Sequence, residues 1–254
     1  ENALASLIPK LQRNNVLGYS MTGVPPQDGD IQGKVIITQA LMDESTCPWC
    51  GDWYRNKIRE TKGTEEDVRL YYMDRCLHND EAKMESNMVI NYHGALRQAI
   101  LDLSDWVERG IEPRQSTVYQ RDRGLITPAA ASGERKGMQA VVSLLAEGKT
   151  CAHGRVGEMV RFTVHAEAGR ITAVDYDPVE ICRLPGEKKV FLNSASFTEF
   201  EQDGRYGADA EFSYTYDRPG TYFASVRVKS NRKGDASDIF TQVKNLARVR
   251  VVVE

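Results

Sequence analysis

Residues 34–110 alternate between short apolar runs and segments of helical periodicity, and this alternation constrains the fold most. The run KVIITQAL (34–41) is continuous and rich in β-branched residues, as expected for a strand buried on both faces of a parallel sheet. VRLYYM (68–73) is a second such run. Helical patterns follow each run, at 50–63 and 88–110. The order strand, helix, strand, helix predicts an α/β fold. The second helix carries one apolar stripe, formed by Leu96, Ile100, Leu103 and Val107.

From about Gly137 the apolar period changes to two residues, which is typical of strands with one face on a core. Turn-forming sequences separate these strands, so residues 137–254 are predicted to form an all-β sandwich. The segment 120–136 has neither period and is predicted to be a linker, which leaves 1–119 as the α/β part. The alternating segments are MVRFTVHA (159–166), AEFSYTY (210–216), TYFASVRV (221–228) and LARVRVVVE (246–254).

Charge and apolar content exclude two classes of partner. The formal net charge of −3 gives no electrostatic reason to bind nucleic acid. No apolar run reaches the roughly 20 residues that a membrane-spanning helix needs. The chain opens with Glu1 rather than Met and no signal peptide is visible, so we expect a processed product or a fragment.

An acidic residue follows the first predicted strand and a histidine follows the second. Asp43 comes shortly after KVIITQAL, and His78 shortly after VRLYYM. Parallel strands end at the same edge of a sheet, and open α/β folds place their sites there. The pair therefore predicts a catalytic site, the alternative being a turn aspartate and a surface histidine.

The order of these features resembles the C-terminal part of an α/β-hydrolase. Three stretches carry the resemblance: GKVIITQALMDESTCPW (33–49), VRLYYMDRCLHND (68–80) and LSDWVERGIEP (103–113). The last is similar to the ending found in the tannase and feruloyl-esterase-like branch, and the resemblance covers roughly residues 30 to 115. It implies acyl-ester or amide hydrolysis by a Ser–His–Asp triad, with Asp43 orienting His78 as the general base. It implies no cofactor and no metal.

The nucleophilic serine of this triad has no clear candidate in the chain. The family places it in a G-x-S-x-G turn, and the nearest stretch, GYSMTG (18–23), has one residue too many and is followed by Val24, Pro25 and Pro26. Ser20 also lies too close to Asp43 for the elements that normally intervene. We therefore expect the serine on a missing segment or on a companion polypeptide that carries the rest of the hydrolase domain. Two buried strands alone would leave an apolar face in water, which also favours a companion.

The stretch CPWCGDW (47–53) allows several interpretations. Cys47 and Cys50 have the spacing of a thiol–disulfide redox loop, but the rest of that fold's pattern is absent. With Cys76 and His78 they would supply four zinc ligands, although C-x-H is tighter than usual. A local disulfide and plain packing cysteines stay open. We favour a loop that follows the triad acid and lies over the active-site mouth. Helix packing is the first interpretation of Trp49, and the alternative is that it lines the substrate pocket, which makes it the candidate substrate-binding residue.

Two further disulfides are considered. Tannase-like enzymes often carry a disulfide near the triad histidine, which implies that Cys76 pairs with a cysteine on the missing part. Cys151 and Cys182 fall near predicted strand ends of the sandwich and could pair in an oxidising compartment.

The C-terminal half resembles a polycystic-kidney-disease (PKD) immunoglobulin-like domain. FSYTYDRPGTYFASVRV (212–228) is similar to its closing strands, GEMVRFT (157–163) to an early strand, and ITAVDYDP (171–178) to its tryptophan-containing strand, with Tyr176 in place of tryptophan. Such modules bind or space and are common outside the cytoplasm, so the resemblance implies a secreted or periplasmic protein. The alternative function is a non-catalytic binding or assembly subunit that uses this sandwich, with Asp43 and His78 as relics.

Overall fold

A computed structural model of the chain describes residues 27–78, 86–179, 191 and 193–254. Ser20 and Cys182 lie outside the described residues. The first half contains β1 (Val35–Ala40), α1 (Trp49–Lys62), β2 (Val68–Met73), α2 (His93–Arg109), β3 (Tyr119–Asp122), β4 (Leu125–Pro128) and α3 (Ser132–Arg135). The second half contains β5 (Val141–Ala146), β6 (Cys151–Gly154), β7 (Met159–Glu167), β8 (Arg170–Asp177), β9 (Asn193–Ser194), β10 (Phe197–Gln202), β11 (Arg205–Thr215), β12 (Gly220–Asn231) and β13 (Val243–Val253).

The two strands and two helices predicted in the first half all form. β1 and β2 pair in parallel, in register from Val35 opposite Val68 to Ala40 opposite Met73. α1 connects them and ends at Gly63, whose φ of 73° is the left-handed conformation that glycine adopts readily at a helix C-terminus. Parallel pairing places the ends of β1 and β2 at one edge of the sheet.

β1 is less buried than the sequence predicted. All six of its residues are half-buried rather than fully buried on both faces. Within the described part of the chain, β1 pairs with β2 alone, so its other edge has no strand beside it. A strand at the edge of a sheet keeps part of its surface accessible even where its faces are covered.

β2, in contrast, is buried on both faces and along its outer edge. Leu70 and Tyr72 pack against Ile126 of the β3–β4 hairpin. The backbone N–H of Leu70 donates to Ser116 Oγ at 3.0 Å, and the N–H of Thr117 donates to the Leu70 carbonyl at 2.9 Å. The segment predicted as a linker, 120–136, thus includes most of this hairpin and all of α3.

The opposite face of β2 forms a core shared with α2 and the sandwich. We call this cluster the shared core; its buried members are Tyr71, Met73, Cys76, Ile90, Ala95, Ala99, Met138, Phe191, Val243 and Leu246. The α/β layer and the β-rich half therefore pack together through apolar contacts.

The apolar stripe of α2 does not face this core. Ile100 is 59% exposed and Val107 is 61% exposed, and Leu96 is also exposed. The helix instead buries a face that is mostly small and polar side chains with Trp106 at its end, because that face meets closely packed backbone and the charged Arg232. The buried residues of this face are Gly94, Ala95, Gln98, Ala99, Asp102 and Trp106.

The second half forms the β-sandwich that the period of two predicted. One sheet has the strand order β10-β11-β7-β5 and the other has β6-β13-β12-β8-β9. Inward residues of both sheets, such as Phe162, Phe212 and Val226, make a single core. No helix in the described ranges is long and apolar enough to cross a bilayer.

Candidate active site

The loops that follow β1 and β2 meet at the carboxyl edge of the two-stranded sheet. The N–H of Met42 donates to the Cys76 carbonyl at 3.0 Å, which joins the two loops just before the predicted site residues. The N–H of Ile90 donates to the Arg75 carbonyl at 2.9 Å and holds the second loop from its other side. Asp43 and His78 are brought together by these contacts although a helix separates them in sequence.

The carboxylate of Asp43 contacts the imidazole of His78 directly. Both Asp43 oxygens lie 3.1 Å from His78 Nδ1. The Asp43 side chain is only 8% exposed, whereas that of His78 is 41% exposed. His78 Nε2 has no hydrogen-bond partner within the described part of the chain. One ring nitrogen is thus fixed by an acid while the other is open to a reacting group.

The environment of Asp43 keeps its carboxylate charged. Partial burial by itself raises the pKa of Asp43, but hydrogen bonds from the Thr46 and Ser45 amides and from His78 outweigh it and hold the pKa below its ordinary value. These amides donate to Asp43 Oδ1 at 2.6 and 2.9 Å. Asp43 is therefore an anion at neutral pH and can stabilise an imidazolium at His78.

Two further residues, which were not predicted from the sequence, hold the main chain of His78. The N–H of His78 donates to Glu44 Oε2 at 3.2 Å. The Tyr92 hydroxyl donates to the His78 carbonyl at 2.9 Å. The position of Glu44 directly after Asp43 is a sequence signal that could have identified it. Tyr92 has no such signal, because it reaches the site only where the chain folds back before α2.

Comparison with protein families and curated proteins adds nothing to this geometry. The chain matches no family model and no curated protein. The site is therefore defined by its geometry, in which an ionised acid contacts one nitrogen of a histidine whose second nitrogen has no partner among the described residues. This arrangement can remove a proton from a hydroxyl or water and return it to a leaving group.

The cysteines around this site are not arranged as a zinc centre. Cys47, Cys50, Cys76 and Cys151 are free thiols. Cys76 is fully buried and its Sγ lies 3.2 Å from the Asp74 carbonyl, while Asp43 occupies His78 Nδ1. Over the described residues, no group of three or more His, Cys, Asp or Glu side chains could hold a metal ion.

Trp49 lies at the start of α1 and contacts the β3–β4 hairpin. The Arg121 guanidinium stands 6.0 Å from the Trp49 ring centre, and a Cβ at Gly124 would lie 3.4 Å from the ring. Its side chain keeps 37% of its surface exposed. The packing role is therefore present, and the substrate-binding role stays a prediction.

The carboxylate of Asp52 in α1 accepts hydrogen bonds from the same hairpin. Replacing Asp52 therefore tests how much these bonds stabilise the fold. Tyr119 and Arg121 each donate to its carboxylate at 2.6 Å. Burial raises the pKa of Asp52, but the bonds from Tyr119 and Arg121 outweigh it and the pKa lies below its ordinary value. We expect Asp52→Asn to lower the free energy of unfolding by about 2 kcal/mol at pH 7.

The pH dependence of this loss has a definite sign. Because the pKa of Asp52 is lower in the folded state, its contribution is complete above the unfolded pKa, about 3.9, and is lost as pH falls through the folded value. The difference between wild type and Asp52→Asn should therefore shrink on acidification. Urea unfolding at several pH values measures it, and a difference that is constant with pH would contradict the assignment.

Proposed function

We propose that this chain supplies the acid and the general base of a serine hydrolase that cleaves small acyl esters or amides. The observation that carries the proposal is the pairing of both Asp43 oxygens with His78 Nδ1 at 3.1 Å, with Nε2 open. In this chemistry His78 takes the proton of a serine hydroxyl as it attacks the acyl carbon, and Asp43 stabilises the resulting imidazolium. His78 then returns the proton to the leaving alcohol or amine.

The serine and the oxyanion-hole donors belong, on this proposal, to a segment or companion polypeptide outside the described residues. Two features support a companion. The outer edge of β1 has no strand beside it in the described chain, and such an edge readily pairs with another strand. The exposed stripe of α2, with Ile100 and Val107, lies on a helix that packs against β1. A companion whose strands continue the sheet past β1 would cover both the outer edge of β1 and the exposed stripe of α2.

A serine-directed probe tests the proposal. The protein is purified from its source, examined by native mass spectrometry and treated with a fluorophosphonate. We expect a second, larger polypeptide to be bound and labelled, and labelling to be lost in an assembly that carries His78→Ala. Labelling of this chain itself, or labelling of the companion that is indifferent to His78, would contradict the proposal.

A charge on the α2 stripe should weaken the assembly without unfolding the chain. Ile100 is mostly exposed, so Ile100→Asp is expected to change the stability of the isolated chain by less than about 0.5 kcal/mol. If the companion buries this position, the same change should weaken association by about 2 kcal/mol, or roughly 30-fold. Met159→Asp is the matched control, because Met159 is 62% exposed on the sandwich. Equal effects of the two changes would argue against this interface.

We further infer that the sandwich is an immunoglobulin-like module of PKD type. The support is its strand order, in which an early strand, β6, pairs in parallel with the last strand, β13, while β5 joins the opposite sheet. Tyr176, at the position of the family's tryptophan, stacks on Phe212 with ring centres 4.0 Å apart. This assignment also supports a location outside the cytoplasm, secreted or periplasmic.

A further inference from the structure

The two cysteines of CPWC stand on one turn of backbone beside the Asp43 loop. The N–H of Cys50 donates to the Cys47 carbonyl at 2.9 Å, so the two residues close a single turn at the start of α1. Residues joined in this way have Cα atoms within about 7 Å, and a disulfide needs roughly 4.4–6.8 Å. Neither thiol takes part in the chemistry proposed above.

The two thiols differ in their access to solvent. Cys47 is exposed, whereas Cys50 is half-buried. Burial, the neighbouring Cys47 and the charge of Asp43 together raise the pKa of the Cys50 thiol. Cys47 is therefore the thiol that an external reagent meets first, and Cys50 is the thiol placed to react with what forms there.

We propose that Cys47 and Cys50 form a reversible disulfide that restrains the loop holding Asp43. The oxidant is a small-molecule disulfide such as oxidised glutathione. The Cys47 thiolate attacks one sulfur of the oxidant and releases the other as a thiol, which leaves a mixed disulfide on Cys47. The Cys50 thiolate then attacks the Cys47 sulfur and releases the second thiol. Two electrons pass from the protein to the oxidant, and the two protein thiol protons end on the two released thiols.

The Cys47–Cys50 disulfide would act on Asp43 through a short stretch of main chain. Ser45 and Thr46, whose amides hold Asp43 Oδ1, lie directly before Cys47. The Gln39 side chain donates to the Thr46 carbonyl at 3.5 Å and ties the same stretch to β1. A disulfide across the turn from Cys47 to Cys50 should restrict the main chain of Ser45 and Thr46. The hydrogen bonds from their amides to Asp43 should then break less often. The proposal does not depend on the hydrolase function, because it concerns the loop and not the reaction.

Peptide mapping of the intact chain tests the disulfide without any substitution. The chain is equilibrated in glutathione buffers of rising oxidised fraction, quenched with acid, unfolded, alkylated and digested with trypsin, so that buried thiols such as Cys76 are also reached. The peptide of residues 35–55 contains Cys47 and Cys50 and no other cysteine. We expect it to become two hydrogens lighter and resistant to alkylation, at an oxidised fraction about tenfold lower than for the same chain in urea. Peptides that contain Cys76 or Cys151 serve as internal controls and should stay alkylated.

Two variants and one exchange measurement check the order of steps and the effect on the loop. Cys50→Ser should trap glutathione on Cys47, whereas Cys47→Ser should react about tenfold more slowly. In the oxidised wild type, the Ser45 and Thr46 amides should exchange with solvent about tenfold more slowly than in the reduced chain. Alkylation of both cysteines at every ratio, pairing of either with another cysteine, or equal behaviour of folded and urea-treated chains would overturn the proposal.

Discussion

Replacing His78 by alanine is expected to reduce ester hydrolysis by the completed assembly on the order of 10⁴-fold. The imidazole is the one group in the described site with a nitrogen fixed by an acid and a second nitrogen open. On the proposed mechanism, the variant has no base to accept the serine proton, and only binding and oxyanion stabilisation would remain. The measurement is kcat/KM for a short aryl ester, with the assembly confirmed by native mass spectrometry in each variant.

Asp43→Asn should cause a loss of similar order, because an amide cannot stabilise the imidazolium and favours the wrong ring tautomer. The double variant should lose little more than either single variant, since the two residues act as a unit. His153→Ala is the matched control: His153 is an exposed residue of β6 in the sandwich, and its loss should leave kcat/KM unchanged. An assembly that keeps full activity without His78 would support the binding-subunit alternative.

Gly94→Ala is expected to destabilise the chain by about 3 kcal/mol, although alanine is the better helix former. A Cβ at Gly94 would lie 1.9 Å from the carbonyl oxygen of Gln242 and 2.7 Å from its carbon. These are backbone atoms, so no side-chain rotation relieves the clash. α2 would have to move away from the segment that leads into β13, which would open the shared core. Urea unfolding of the isolated chain measures the loss.

Gly33→Ala is the control for this change. Nothing lies within 4 Å of a Cβ at Gly33, so the substitution should alter stability by no more than about 0.5 kcal/mol. If Gly94→Ala were neutral or stabilising, helix propensity would outweigh packing there, and the close approach of α2 to Gln242 would be wrong.

The sequence predicted the parts of the site that depend on local pattern. The runs around Val35 and Val68 have the length and composition of strands, and the helical segment between them favoured a parallel crossover. Parallel strands end together, so the proximity of Asp43 and His78 followed from residue order alone. The same reasoning found the sandwich, because alternation such as that of β7 identifies its buried face directly.

Contacts between segments that are distant in sequence could not be predicted from local sequence patterns. The apolar stripe through Ile100 and Val107 suggested the buried face of α2, but burial depends on what lies beside the helix. Here Gly94 and Asp102 face the neighbouring elements, since close backbone approach and the Arg232 ion pair select small and charged residues. The hydroxyl of Tyr92 likewise reaches His78 through a fold of the chain that has no periodic signal.

The shared core also limits how this chain can be rearranged in evolution. Sandwich modules are often gained, lost or exchanged between proteins as whole units, which requires that they share little apolar surface with their neighbours. Here Met138, Val243 and Leu246 complete the packing over Tyr71 and Met73 of the strand that leads to His78. A replacement sandwich would have to reproduce this outer surface as well as its own interior. The two halves are therefore expected to have been inherited together, with substitutions on one side of the contact compensated on the other.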